Sequence, residues 1–306
     1  MERRYVILDV FCNQPFAGNP LAVVLDGGGL DDELMQKIAG EFNLSETVFV
    51  KSVDENNSRA QIRIFTPLHE LPFAGHPTVG TATLLAKEYF NKGGANGSVD
   101  LVLDEQVGPV KCKVTLDENS SGAQFTLPQL PDYVGECGSV ETIANALGLS
   151  VSDIGFDAHS PQQWSAGVPY SLVPVASIDA IRNITPDTAS WAKAFGEGHH
   201  NNAFVYCREC EDASSAFHAR MFWPSAGIRE DAATGSAAAA FAGIIMQNEG
   251  FADGDHTFVI EQGYEMGRPS LINLILEIRD GKLKCGKIGG DMVEIARGII
   301  GSSTWL

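Results

Sequence analysis

Three ionisable residues, Glu46, His76 and Asp231, stand beside loops that open onto uncharged, small-residue segments. His76 follows Gly75 directly, and Asp231 comes shortly before Thr234-Gly235-Ser236. Glu46 stands just ahead of the apolar run 47–50, which leads toward the first of these loops. A carboxylate and an imidazole near one helix start, with a second carboxylate near another, are what carbon-acid chemistry needs. One group removes a proton next to a carbonyl or conjugated acid, and another returns it elsewhere. The first-turn N–H groups of a helix lack internal partners and carry the positive end of its dipole. They can hold a carboxylate or a developing oxyanion without Lys or Arg. Taken singly, each loop also reads as a tight turn, with His76, Thr234 and Ser236 as ordinary caps and Glu46 as a surface turn acid.

The duplication of the pattern favours a site. Residues 46–85 and 203–244 both run strand, acidic polar loop, strand, short loop, glycine, helix. The second strand ends Arg63-Ile64-Phe65-Thr66-Pro67 in one copy and Arg220-Met221-Phe222-Trp223-Pro224 in the other. The copies are chemically unequal. The first carries Glu46 and His76, the second Asp231 and Ser236, and Asn202-Ala203 stand where Glu46 would be repeated. Two facing helix ends with one-sided proton chemistry suit an isomerase better than a two-base racemase.

The elements that must position these residues follow from periodicity. Strands are expected at 5–11, 21–25, 47–50 and 60–65, with a helix opened by Asp31-Asp32-Glu33 whose apolar residues fall on one face. The helix after His76 has Pro77 at its first position, where a missing N–H does no harm. Further strands are expected at 101–103, 110–116 and 124–127. Pro128-Gln129-Leu130-Pro131 reads as the crossing to a second lobe. That lobe begins with a helix at 140–147 ended by Gly148, then strands at 171–175, 203–207 and 219–222. The helix from 236 to about 248 has no polar face and must be enclosed on all sides. Short strands follow at 257–261, 270–277, 282–284 and 292–296. The expected fold is α+β: two pseudo-symmetric lobes, 1–127 and 128–306, each a curled, mostly antiparallel sheet around a central helix. The last strand, near 292–303, packs back on the first lobe.

Composition narrows the function classes. The chain has 306 residues, enough for two domains with real cores, and 44% hydrophobic content. A net charge of −18 disfavours nucleic acid, which needs Lys/Arg clusters. No signal-peptide or membrane segment is evident, so the expected location is the cytoplasm. Six scattered cysteines do not form a secreted disulfide framework. Cys207-Arg-Glu-Cys210 is a lone CxxC and reads as the end of a strand rather than half a zinc site. His199-His200 reads as a solvated loop, and no metal site is expected.

Five segments resemble the signature segments of the phenazine-biosynthesis PhzF-like family. They are Phe16-Ala17-Gly18-Asn19-Pro20, 43–49 (Asn-Leu-Ser-Glu-Thr-Val-Phe), 63–67, Glu70-Leu71-Pro72-Phe73-Ala74-Gly75-His76-Pro77-Thr78, and Glu230-Asp231-Ala232-Ala233-Thr234-Gly235-Ser236-Ala237. They occur in order across nearly the whole chain. The resemblance implies the diaminopimelate-epimerase fold with the site between its lobes, no cofactor or metal, and a homodimer. It implies that Glu46 shuttles a proton on a small carboxylic acid, that His76 and Asp231 assist, and that Gly75, Gly235 and Ser236 contact the substrate carboxylate. Asn19 and Thr234, in the same segments, are expected to line the substrate. The chain departs from the family at Ala232, where a proline is usual; a less fixed loop follows, with the acid and the Gly-Ser retained. Racemases of the same fold carry a cysteine at each helix end; this chain has His76 and Ser236 there, which argues against two-thiol racemisation. Two alternatives stay open: a silent carboxylate-binding or interaction protein on the same scaffold, and a hydratase, lyase or epimerase using the same pocket. Substrate-shaping side chains are expected at 13–19, around Trp164–169 and at Trp223.

Overall fold

A computed structural model describes residues 2–91, 96–118, 120–197, 201–224 and 228–301. His199-His200 lies outside the described residues. The chain divides into two compact units, Met1–Thr126 with Gly289–Leu306, and Leu127–Ile288.

The first unit is built from β1 (Arg3–Val10), β2 (Asn19–Val24), α1 (Asp32–Phe42), β3 (Glu46–Asp54), β4 (Arg59–Phe65), β5 (Glu70–Leu71), α2 (Gly75–Leu85), β6 (Gly97–Glu105), β7 (Gly108–Leu116) and β8 (Ser121–Thr126). Neighbours run β1–β2–β3–β4–β6–β7–β8, with β5 also on β4; the β2/β3 and β4/β6 pairs are parallel and the rest antiparallel. The end of the last strand of the chain pairs antiparallel with β1 and also pairs with β8, so the sheet closes on itself. Closure removes the free edges that an open sheet would offer to other chains. Helix α2 packs against β1, β2, β3, β6, β7 and β8, and all its residues are buried. Its residue types explain this: Gly75 to Leu85 contains no charge, so no side of the helix needs water. α1 is amphipathic instead. It buries Met35, Ile38 and Ala39 on the outer face of the sheet, against Val24, Phe49 and Phe65. Asp31 caps it, accepting from Leu34 N.

The second unit holds β9 (Asp132–Glu136), α3 (Val140–Leu147), β10 (Gln162–Ser165), β11 (Pro169–Pro174), α4 (Ile178–Arg182), α5 (Thr188–Phe195), β12 (Ala203–Cys207), β13 (Phe217–Trp223), β14 (Ile228–Asp231), α6 (Gly235–Asn248), β15 (Gly254–Gln262) and β16 (Ser270–Arg279). Its sheet runs β9–β10–β11–β12–β13–β15–β16, with β14 on β13 and with β11/β12 and β13/β15 parallel. The parallel and antiparallel steps therefore repeat those of the first unit. α6 packs against β9, β10, β11 and β16, and is buried from Ala237 to Ile245. Outside, α3 and α5 pack on the sheet through Ile143, Leu147, Trp191 and Phe195.

Three local expectations are corrected. The two short strands expected at 282–284 and 292–296 are one strand, β17 (Lys282–Ile300), which runs from the second unit into the first. Gly289, between the two expected strands, is needed for close approach. A Cβ on Gly289 would lie 2.9 Å from Gln124 Cβ. Glu46 is not in a turn: it opens β3 and pairs with Leu21 of β2. Pro77 is the third residue of α2, because the helix starts at Gly75 with Ala74 as its cap.

Candidate active site

In the first unit, three segments converge on one ring. His76, the second residue of α2, is almost wholly buried, and its ring donates a hydrogen bond to the Pro20 carbonyl of β2. Nε2 has no hydrogen-bond partner, so Nδ1 makes that bond. This fixes the tautomer and leaves a lone pair on Nε2. Nε2 lies 3.3 Å from Glu46 Oε2, in contact but without hydrogen-bond alignment. Burial drives the His76 pKa down to about 3, against the opposing bond to Pro20, so the ring is neutral at physiological pH. Glu46 itself is mostly shielded, its side chain 13% exposed. Asn19, the first residue of β2, is fully buried one residue before Pro20.

Neither central helix has the side-chain cap that the ordinary reading requires. Ala74 caps α2 without a side-chain bond, and Thr234 caps α6 with its hydroxyl turned elsewhere. Thr234 Oγ1 donates instead to Asp231 Oδ2 at 2.6 Å. The first-turn N–H groups of both helices are thus not consumed by side-chain caps, as an anion-binding helix start requires.

In the second unit, Asp231 ends β14 and is buried. Gln262, at the end of β15, holds its loop at three points. Gln262 Oε1 accepts from Thr234 N at 3.0 Å, while Nε2 donates to the Asp231 carbonyl at 2.8 Å and to Thr234 Oγ1 at 3.1 Å. These bonds hold the loop that carries Ala232. Glu230, next to Asp231, is instead bound in a two-point bridge with Arg220. Ser236 Oγ is 2.7 Å from the Tyr170 hydroxyl. Trp164 lies over α6 at Gly243 and meets Tyr133 edge to face.

Strand register makes the inequality of the copies concrete. Thr47 pairs with Phe65, and Ala203 pairs with Phe222, so Glu46 corresponds to Asn202. Asn202 is fully buried and donates to the Pro169 carbonyl at 3.0 Å. Pro169 corresponds in turn to Pro20. The carbonyl that orients His76 in one unit is occupied by an amide in the other. Arg63 bridges Glu70 as Arg220 bridges Glu230, which marks the repeat at the level of ion pairs.

The sequence reading missed Pro20 as a ring-orienting carbonyl, Tyr170 and Gln262. A signal for Gln262 existed: Phe258-Val259-Ile260-Glu261-Gln262 echoes Leu101-Val102-Leu103-Asp104-Glu105. Cys207 is buried at the end of β12 and Cys210 is in the following loop; burial pushes both thiols up to about 12. Among the described residues, no group of three or more His, Cys, Asp or Glu is arranged to hold a metal ion.

The model of the phenazine biosynthesis-like (PhzC-PhzF) protein family matches residues 8–298. The chain belongs to the PhzF family. An uncharacterized isomerase of Mesorhizobium japonicum is 48% identical over 97% of this PhzF-family chain and 98% of its own length. The trans-2,3-dihydro-3-hydroxyanthranilate isomerase of Pseudomonas fluorescens is 35% identical over the same shares of each chain. A Bacillus anthracis phenazine biosynthesis protein of the PhzF family superposes with a TM-score of 0.87 at 26% identity, covering 98% of this chain and 99% of that one. This PhzF-family chain is an enzyme of the isomerase class. Among its described residues no helix is long and apolar enough to cross a membrane.

Proposed function

We propose that this enzyme is a cofactor-independent isomerase that moves a proton on a small unsaturated or α-acidic carboxylic acid, with Glu46 carrying the proton. The observation that carries the reading is the Glu46–His76 contact. A lone pair on His76 Nε2 and an oxygen of Glu46 at 3.3 Å repel unless a proton lies between them. The pair is therefore placed so that a small side-chain rotation lets it share a proton that Glu46 has taken from carbon. Because His76 remains neutral above about pH 3, it accepts that proton's hydrogen bond without competing for the proton itself. Glu46 can then return it to another carbon of the same substrate. Charge developing on the substrate oxygen meets first-turn N–H groups at Gly75 and His76, which cost no reorganisation at the moment of reaction. Asp231 is assigned as the assisting acid, and Gly235, Ser236 and Thr234 as substrate contacts, with Asn19 lining the substrate beside Pro20. The name of the 35%-identical Pseudomonas fluorescens relative supports a proton shift on an unsaturated amino acid.

The test is exchange of substrate hydrogen with solvent deuterium, over a panel of small carboxylic acids that begins with trans-2,3-dihydro-3-hydroxyanthranilate. Glu46→Gln is expected to keep ligand-induced thermal stabilisation and to lose exchange by on the order of a hundredfold or more. Undiminished exchange in Glu46→Gln would sink the assignment. A panel giving thermal stabilisation and no exchange by the unaltered protein would favour a binding protein instead.

A further inference from the structure

One buried acid has no part in that reaction. Glu105 ends β6, almost fully buried, with Oε1 2.7 Å from Thr78 Oγ1 and Oε2 without a hydrogen-bond partner. Thr78 stands in the first turn of α2, and its Oγ1 is also 2.7 Å from the Ala74 carbonyl. A hydroxyl has one hydrogen. If it goes to Ala74 O, the contact with Glu105 needs a hydrogen from the acid. If it goes to Glu105, two bare oxygens are pressed together at 2.7 Å. Only a second proton, on Glu105, satisfies both contacts.

The duplication supplies an independent argument. Ala60 pairs with Leu103 of β6, and Phe217 pairs with Ile260 of β15. Counted from the matching Arg63 and Arg220, Ala60 corresponds to Phe217, so Glu105 corresponds to Gln262. Both residues end their strand, and both reach the start of a central helix: Gln262 through Thr234, the cap of α6, and Glu105 through Thr78 in the first turn of α2. A protonated glutamic acid has the shape and the donor–acceptor pair of glutamine.

We propose that Glu105 is held as the neutral acid and, as the counterpart of Gln262, is a positioning residue that closes the first turn of α2 and so sets Gly75 and His76. No cation among the described residues faces it. The other ionisable group that senses it is the Cys112 thiol on β7, itself buried and pushed up. Burial raises the Glu105 pKa to about 8, against the bond from Thr78. Neutrality has a functional side. A carboxylate at this turn would oppose the negative charge that the helix start is placed to receive.

The activity arm of the test rests on the exchange chemistry proposed above; the spectroscopic arm does not. An infrared difference spectrum of the unaltered protein minus Glu105→Gln should show a carboxylic-acid carbonyl band at pH 7, replaced by carboxylate bands at pH 10. Carboxylate bands at pH 7 overturn the proposal even if no substrate is ever found. In exchange assays the unaltered enzyme should lose activity about tenfold per pH unit above its alkaline ionisation. Glu105→Gln should match it at pH 7 and lack that limb, while Glu105→Ala should be impaired throughout. An alkaline limb that persists in Glu105→Gln, or a Glu105→Gln enzyme as impaired at pH 7 as Glu105→Ala, also overturns it.

Discussion

His218 shows how a single side chain stabilises the strand that carries Gln262. Its Nδ1 is 2.7 Å from Glu261 and its Nε2 3.0 Å from Glu265, and the ring is wholly buried. Burial pulls its pKa down, but the two carboxylates outweigh burial and lift it to about 9. The ring is therefore an imidazolium in the folded protein at neutral pH. A base whose folded pKa exceeds its unfolded value stabilises fully below about pH 6.5, and that contribution fades as pH rises through about 9. His218→Gln leaves Glu261 without the ring's charge and Glu265 with only Arg220, at 3.9 Å, at an expected cost of about 3 kcal/mol at pH 6. Urea denaturation at pH 6 and pH 10 tests this, since the difference between variant and parent should shrink at the higher pH. A difference equal at both values would mean that the ring contributes by packing rather than by charge. Glu261 and Gln262 are successive in β15 and so point to opposite faces. The ion pair on one face thus anchors the clamp on the other.

At the level of elements, the central helices depend on close approach as much as on apolar surface. A Cβ on Gly243 would lie 2.1 Å from Trp164 Cε3, so Gly243→Ala must displace the indole from α6. An overpacking cost of about 1–3 kcal/mol is expected, with a change in tryptophan fluorescence; a variant with the parent's midpoint and spectrum would show that the ring does not sit there. What was legible in the sequence follows the same division between local and distant causes. α3 could be read to the residue because Ser139, the apolar spacing and Gly148 are local signals. Buried α2 and α6 were legible because a run without charge admits only an enclosed helix. β17 was not, because Gly286, Gly289 and Gly290 read as a loop until the strand they press against is known. Of the candidate site residues, Glu46, His76 and Asp231 were proposed from motif and duplication. The Pro20 carbonyl and Tyr170 were not, because a backbone oxygen leaves no mark in the sequence and the Tyr170–Ser236 contact spans 66 positions.

Across the whole molecule, one plan is used twice with different polar residues at the two helix starts. A net charge of −18 gives the protein a repulsive long-range field for an anionic substrate. For the carboxylic acid substrate proposed above, local N–H groups at helix starts would supply the attraction, screened only weakly where the site is shielded. The first unit owes its closure to residues far from it in sequence, since β17 after Gly289 joins β1 and β8. A chain cut after Ile288 should therefore expose two strand edges, self-associate, and lose the cooperative melt of the first unit. Size-exclusion chromatography and calorimetry would reveal this; a monomer with an unchanged melt would show closure to be dispensable. The same arrangement sets a clock on biosynthesis. Translating residues 127–288 takes on the order of ten to thirty seconds, and for that interval the nascent N-terminal sheet waits, one strand short, for the end of its own message.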